Sequence, residues 1–213
     1  LVEVVYEVIP AFYEEVEASL IGVFGPEARG VALPDVLRFG SWVGGDMDGH
    51  PDVHAKTIRE SCARHHQLII NRYFTEAQEL GEKLSQSASR VGVSAQVLQR
   101  IEQYKTLVPA ARATAPANHD QMPYRVLVGQ IAERLRATYD HASGQYERAS
   151  QLIDDLELIV QSLQQHRGQR AGLFYVQRLL RRVRTFGFHL ATLDVRQNAR
   201  VHRQIVGQGR VST

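Results

Sequence analysis

Two stretches of this chain combine residue types whose spacing could do chemistry. The first runs Phe39-Gly40-Ser41-Trp42-Val43-Gly44-Gly45-Asp46-Met47-Asp48-Gly49-His50-Pro51. Its paired glycines permit the positive φ of a tight turn and let another group approach the backbone. Asp46 and Asp48 alternate beyond them and invite a metal reading. A calcium loop of the helix–loop–helix type needs glycine in sixth place and glutamate in twelfth. Counted from Asp46, glycine comes fourth and the twelfth residue is Thr57, so that template fails. Aspartates in turns more commonly bond to backbone N–H groups. His50 and His54 stand at helical spacing, but zinc would need ligands that do not accompany them. The clustered His65 and His66 read as surface or helix-packing residues.

The second stretch is Phe186-Gly187-Phe188-His189-Leu190-Ala191-Thr192-Leu193-Asp194-Val195-Arg196-Gln197. Read as a strand, it puts Leu190, Thr192, Asp194 and Arg196 on one face, so polarity grows toward the strand's end. An arginine facing inward there is costly unless it meets anionic groups. Two roles stay open for Arg196: an ion pair with Asp194 or another carboxylate, or a ligand for an anionic substrate.

The elements that must position these residues are mostly helical. Apolar spacing predicts helices over Leu1 to Val23, Asp52 to about Ser89 with an interruption near Gly81, and Ser94 to Leu107 with Ser94 as cap. Further helices are predicted from Pro123 to Tyr139, Ser150 to Gln165 and Leu173 to Arg184, the last stopped by Gly187. Pro51 suits the first turn of the second helix, whose N–H groups would point at the turn before it. Pro109 to Gln121 reads as a loop. Strands are predicted from Val36 to Val43 and from Phe188 to Val195. Two isolated strands do not make an independently stable sheet. The fold class expected is therefore mainly α with two isolated β-strands, part of a heavily helix-inserted α/β barrel of TIM type. Residues 1–213 are expected to be an internal segment, with no complete independent domain boundary.

Composition narrows the field. The chain has 213 residues, 44% hydrophobic and 23% charged, with formal net charge +2. No apolar run reaches the roughly 18 residues of a membrane span, and the first residues lack the basic start and cleavage site of a secretory leader. The single cysteine, Cys62, excludes an internal disulfide and fits a reducing cytosol. Arginines outnumber lysines heavily, yet acidic residues nearly balance them, which gives nucleic-acid binding little support. A phosphate or nucleic-acid binder would need its arginines gathered on one face.

Together the two stretches resemble phosphoenolpyruvate carboxylase. That family carries a phrase close to F-x-S-W-M-G-G-D-R-D-G-N-P, matched by Phe39 to Pro51, and a strand close to L-D-I-R-Q, matched by Leu193 to Gln197. Pro123-Tyr124-Arg125 stands at the intermediate place where the family has P-Y-R. Met47 replaces the family arginine and His50 its asparagine. Asn198 and Ala199 replace an acidic residue and a serine. Met47 removes a cation near the turn and with it any ion pair the family makes there.

The resemblance implies a large, mostly helical enzyme, a cytoplasmic homotetramer that joins phosphoenolpyruvate and bicarbonate into oxaloacetate. It implies Mg2+ or Mn2+, with ligands expected outside this segment, and no nucleic-acid or membrane partner. By position it implies that Arg196 holds the phosphate of phosphoenolpyruvate and serves catalysis. Trp42 is expected to line the apolar pocket around the substrate's methylene. Arg125 corresponds to a position near an effector pocket in some members, with a helix-surface ion pair as its alternative. The competing reading is a stand-alone helical interaction module, or an Arg-dependent phosphate binder, without catalysis.

Overall fold

The computed structural model describes residues 2–48, 50, 52–84, 92–113 and 121–209. It is mainly helical, with two short parallel strands. In chain order the elements are α1 (Val2–Phe24), β1 (Gly40–Ser41), α2 (Ala55–Lys83), α3 (Ala95–Leu107), α4 (Ala110–Ala113) and α5 (Pro123–Asp140). They continue with α6 (Ala149–Gln165), α7 (Leu173–Phe186), β2 (Thr192–Leu193) and α8 (Ala199–Gly209).

The core forms where three-to-four spacing gives each helix one apolar stripe. Ile69, Ile70, Tyr73, Ala77 and Leu80 of α2 are buried, and they face Leu127, Val128, Ile131 and Leu135 of α5, the most extensive helix pairing in the molecule. Leu152, Leu156, Ile159 and Leu163 of α6 meet Val176, Leu179, Leu180 and Val183 of α7. α1 adds Tyr6, Ile9 and Tyr13.

Helix ends follow local chemistry. The Ser94 side chain accepts the Val97 N–H, capping α3 as the sequence predicts. Gly187, at φ 55°, ends α7 two residues beyond the predicted Arg184. α2 begins later than expected, at Ala55, and runs through Gly81 without a break because its buried stripe continues to Leu80. Pro51, Gly49 and the predicted tail of α2 at Ser85 to Ser89 lie outside the described residues. So do Pro116, Asn118 and Asp120 of the predicted loop, within which Ala110–Ala113 forms a short helix. α8 follows the second strand and was not anticipated.

The strands are shorter than predicted. Only Gly40–Ser41 and Thr192–Leu193 pair, parallel, in register Gly40 with Thr192 and Ser41 with Leu193. The Val36 and Leu37 amides donate instead to the Tyr13 hydroxyl, at 3.0 and 3.4 Å. That takes them out of any ladder. In the second segment Leu190 has φ 62°, which breaks the expected alternation: Leu190 is buried and Thr192 exposed, so they do not share a face.

Candidate functional site

Both stretches end at the C-terminal ends of the two parallel strands, the side on which α/β folds place ligands. The turn after β1 closes on the Trp42 carbonyl, which accepts the Gly45 amide at 2.9 Å and the Asp46 amide at 3.1 Å. Gly44 takes φ +83°, and a Cβ there would sit 2.0 Å from the Ser61 hydroxyl oxygen of α2. A Cβ on Gly45 would sit 2.4 Å from the Asp194 carbonyl oxygen. Glycine is thus required twice, once by conformation and once by close approach.

Beyond the strands the two turns stay locked. The Arg196 amide donates to Gly45 O at 3.0 Å, and the Met47 amide donates to Arg196 O at 2.8 Å. These bonds make an isolated parallel bridge between Asp46 and Arg196. Across it, Arg196 Nη1 lies 3.6 Å from Asp46 Oδ2. Asp46 Oδ1 accepts the Asp48 amide at 3.2 Å, and Asp48 Oδ1 accepts the Asn198 side-chain amide at 3.2 Å. Asp46 therefore binds a backbone N–H of its own turn, as its place there suggests, whereas Asp48 takes the Asn198 side chain instead. Among the described residues no group of three or more His, Cys, Asp or Glu side chains could hold a metal ion.

Of the two expected ion pairs, the partner of Arg196 is Asp46, not Asp194, and the pair is not buried. The Arg196 side chain is 57% exposed. A guanidinium offers donors in a fixed fork. One distant carboxylate oxygen leaves most of that fork open to an anion. Trp42 is 60% exposed. Its backbone closes the turn while its ring stands clear of the core.

Other expected residues are placed differently. Arg125 is half-buried in the first turn of α5 and makes no ion pair among the described residues. His54 caps α2: its ring accepts the Thr57 amide while the Thr57 hydroxyl accepts the His54 amide. One of the N–H groups expected to face the turn is used there. His66 packs inside, its Nδ1 donating to Phe188 O at 3.0 Å. Nothing in the spacing of the two stretches points to the bond from Asn198 to Asp48, although Asn198 is one of the departures from the family phrase.

Comparison with known proteins covers nearly the whole chain. The family description "Phosphoenolpyruvate carboxylase" matches residues 1–209. This chain belongs to the phosphoenolpyruvate carboxylase family. It is 47% identical over 206 residues to a phosphoenolpyruvate carboxylase of Xanthomonas euvesicatoria pv. vesicatoria, covering 97% of this chain and 22% of that relative. It is 37% identical over 219 residues to one of Nocardia farcinica, covering 95% and 22%. A third, of Ralstonia nicotianae, is 35% identical over 217 residues, covering 94% and 21%. The chain thus spans about a fifth of the length of the carboxylases it matches.

Proposed function

We propose that residues 1–213 are an internal segment of a complete phosphoenolpyruvate carboxylase and supply part of its substrate site. A bicarbonate oxygen attacks the phosphorus of phosphoenolpyruvate, the bond from phosphorus to the enol oxygen breaks, and carboxyphosphate and the pyruvate enolate result. Carboxyphosphate then releases phosphate and carbon dioxide, and the enolate carbon attacks carbon dioxide to give oxaloacetate. The observation that carries this reading is the open guanidinium of Arg196, locked beside the Trp42 turn at the ends of two parallel strands.

In that reading Arg196 binds phosphoryl oxygens with its fork and offsets charge as the phosphoryl group moves. Trp42 lines the methylene side of the site and excludes the water that would protonate the enolate carbon. A divalent magnesium or manganese ion, held by ligands outside this segment, supplies positive charge for the phosphate and the enolate. The strand pair belongs to a larger barrel: Val43 and Val195 beside it are exposed apolar residues, suited to cover by further strands. The complete protein is read as a cytoplasmic homotetramer, with Arg125 near an effector pocket. The anion-binder alternative loses ground, because all four arginines of α7 meet carboxylates and form no unpaired basic face: Arg178 with Glu14, Arg181 with Asp35, Arg182 with Glu7 and Glu76, and Arg184 with Glu157.

The test is an oxaloacetate-coupled assay with magnesium, phosphoenolpyruvate and bicarbonate. The 213-residue chain alone is expected to read background. In the complete enzyme Arg196→Lys keeps the charge and loses the paired bonds. It should lower kcat/KM roughly tenfold or more, the equivalent of one charge-assisted hydrogen bond. Arg196→Gln should be worse. Parental efficiency in the Lys variant would remove Arg196 from the site.

A further inference from the structure

The approach to β2, the strand that leads to Arg196, is contacted by side chains of α2, far from it in sequence. At the end of α7 the chain must turn into β2, and two α2 side chains hold that turn by its carbonyls. The Tyr73 hydroxyl, with one proton to donate, lies 2.9 Å from Gly187 O at the cap of α7 and 3.3 Å from Arg182 O within the helix. His66 Nδ1 lies 3.0 Å from Phe188 O. A carbonyl only accepts, so this nitrogen carries the proton. The His66 ring is clamped by stacking on His141, with centroids 5.7 Å apart and planes at 11°.

Immediately after these contacts comes Leu190 at φ 62°. A left-handed conformation is costly for a bulky side chain and persists only where its surroundings over-determine it. Beyond Leu190 the Thr192 amide reaches Phe39 O at 2.8 Å and the strand pair begins. The same helix touches the other turn through Ser61, against Gly44. One helix therefore touches both the entry to β2 and the turn after β1.

We propose that His66 and Tyr73 are positioning residues, which fix the entry to β2 and so the reach of the Arg196 guanidinium toward phosphate; this rests on the substrate reading above. In the complete enzyme, His66→Phe keeps a ring against His141 and loses the donor, and Tyr73→Phe loses the hydroxyl. Each is expected to raise the KM for phosphoenolpyruvate about fivefold, the size of one neutral hydrogen bond, with the KM for bicarbonate unchanged. His66→Asn, whose side-chain amide can replace Nδ1–H, should restore most of the loss. His66→Phe added to Arg196→Lys should cost little more than Arg196→Lys alone, because both act on one contact.

Unchanged KM for phosphoenolpyruvate in both Phe variants overturns the proposal. So does an equal rise in both KM values, a loss that merely follows the folded fraction, or full additivity in the double variant. A parent-like Arg196→Lys sinks the substrate reading and this inference with it. An impaired Arg196→Lys beside parent-like Phe variants sinks the inference alone.

Discussion

Two regions of the molecule set an aspartate against arginine, in opposite surroundings. Asp155 of α6 is fully buried. Its Oδ2 accepts the Tyr146 hydroxyl at 2.6 Å and the Tyr104 hydroxyl at 2.7 Å, and Arg100 Nη1 reaches its Oδ1. Arg134 lies 3.8 Å away and spends its other donors on Gly144 O, Gln145 O and the Tyr104 hydroxyl. Its guanidinium also sits 3.8 Å over the Tyr146 ring. At the turns, Arg196 has one carboxylate contact among the described residues, at 3.6 Å, and its side chain is 57% exposed. The buried cluster ties α3, α5 and α6 together and turns its polar groups on one another. The turn pair does little for stability, as exposed pairs do, and keeps its donors in reserve. An arginine's fitness for substrate is thus read from what the fold leaves undone around it.

The comparison breaks most readily at Asp155. Removing one partner of a buried ion pair strands the others, at about 3–5 kcal/mol. In the complete protein Asp155→Ala should therefore lower the melting temperature far more than Arg196→Gln, whose effect on stability should stay under about 1 kcal/mol. The order for kcat/KM of the folded fraction should be reversed. Equal melting shifts would mean that the two pairs are energetically alike, and the contrast would fall.

A smaller effect sharpens the same contrast through pH. Burial raises the Asp155 carboxyl above its ordinary value, outweighing the lowering by the hydrogen bonds from Tyr146 and Tyr104 and by the charges of Arg100 and Arg134. A folded-state pKa above the unfolded one means that the folded chain holds the proton more readily. Stability from this group then falls as pH rises through the folded pKa, and the cost is absent below the unfolded value. Relative to Asp155→Asn, which does not titrate, the parent should gain stability as pH falls from neutral toward 3.8. Melting both proteins across that range checks the sign; a parent that loses ground instead would show that its ion pairs outweigh desolvation.

How much of this was legible beforehand depends on how local the cause is. Ser94 capping α3 and Gly187 ending α7 are decided by neighbouring residues, and both were read correctly. The strand lengths were not, because their limits come from distant groups: the Tyr13 hydroxyl takes the Val36 amide, and His66 takes the Phe188 carbonyl. The turn after β1 was legible in kind, glycines and amide-binding aspartates, but not the choice of Asp46 over Asp194 as the partner of Arg196. That choice follows from the cross-turn bridge, which alternation along a single strand does not reveal. Asp155 carried a signal that went unused: it falls within the apolar stripe of Leu152, Leu156, Ile159 and Leu163, where an unpaired carboxylate would be prohibitive.

At Trp42 the stability effect is as small as at Arg196, and there the comparison is sharpest. A tryptophan packed in a core costs about 3–5 kcal/mol when cut to alanine. Trp42 is 60% exposed, and the turn is held by its backbone carbonyl. Trp42→Ala keeps that carbonyl, so within this segment the loss should stay below about 1 kcal/mol, in line with surface substitutions. Its consequence should appear in the products instead. If the ring keeps water from the enolate, the complete Trp42→Ala enzyme should release more pyruvate relative to oxaloacetate, because protonation then competes with carboxylation. Product ratio and melting temperature measured on one variant separate the cases. A core-sized stability loss with an unchanged ratio would mean that the rest of the protein covers the ring and uses it for packing. A changed ratio with little loss of stability would place Trp42 beside Arg196 in the proposed substrate site.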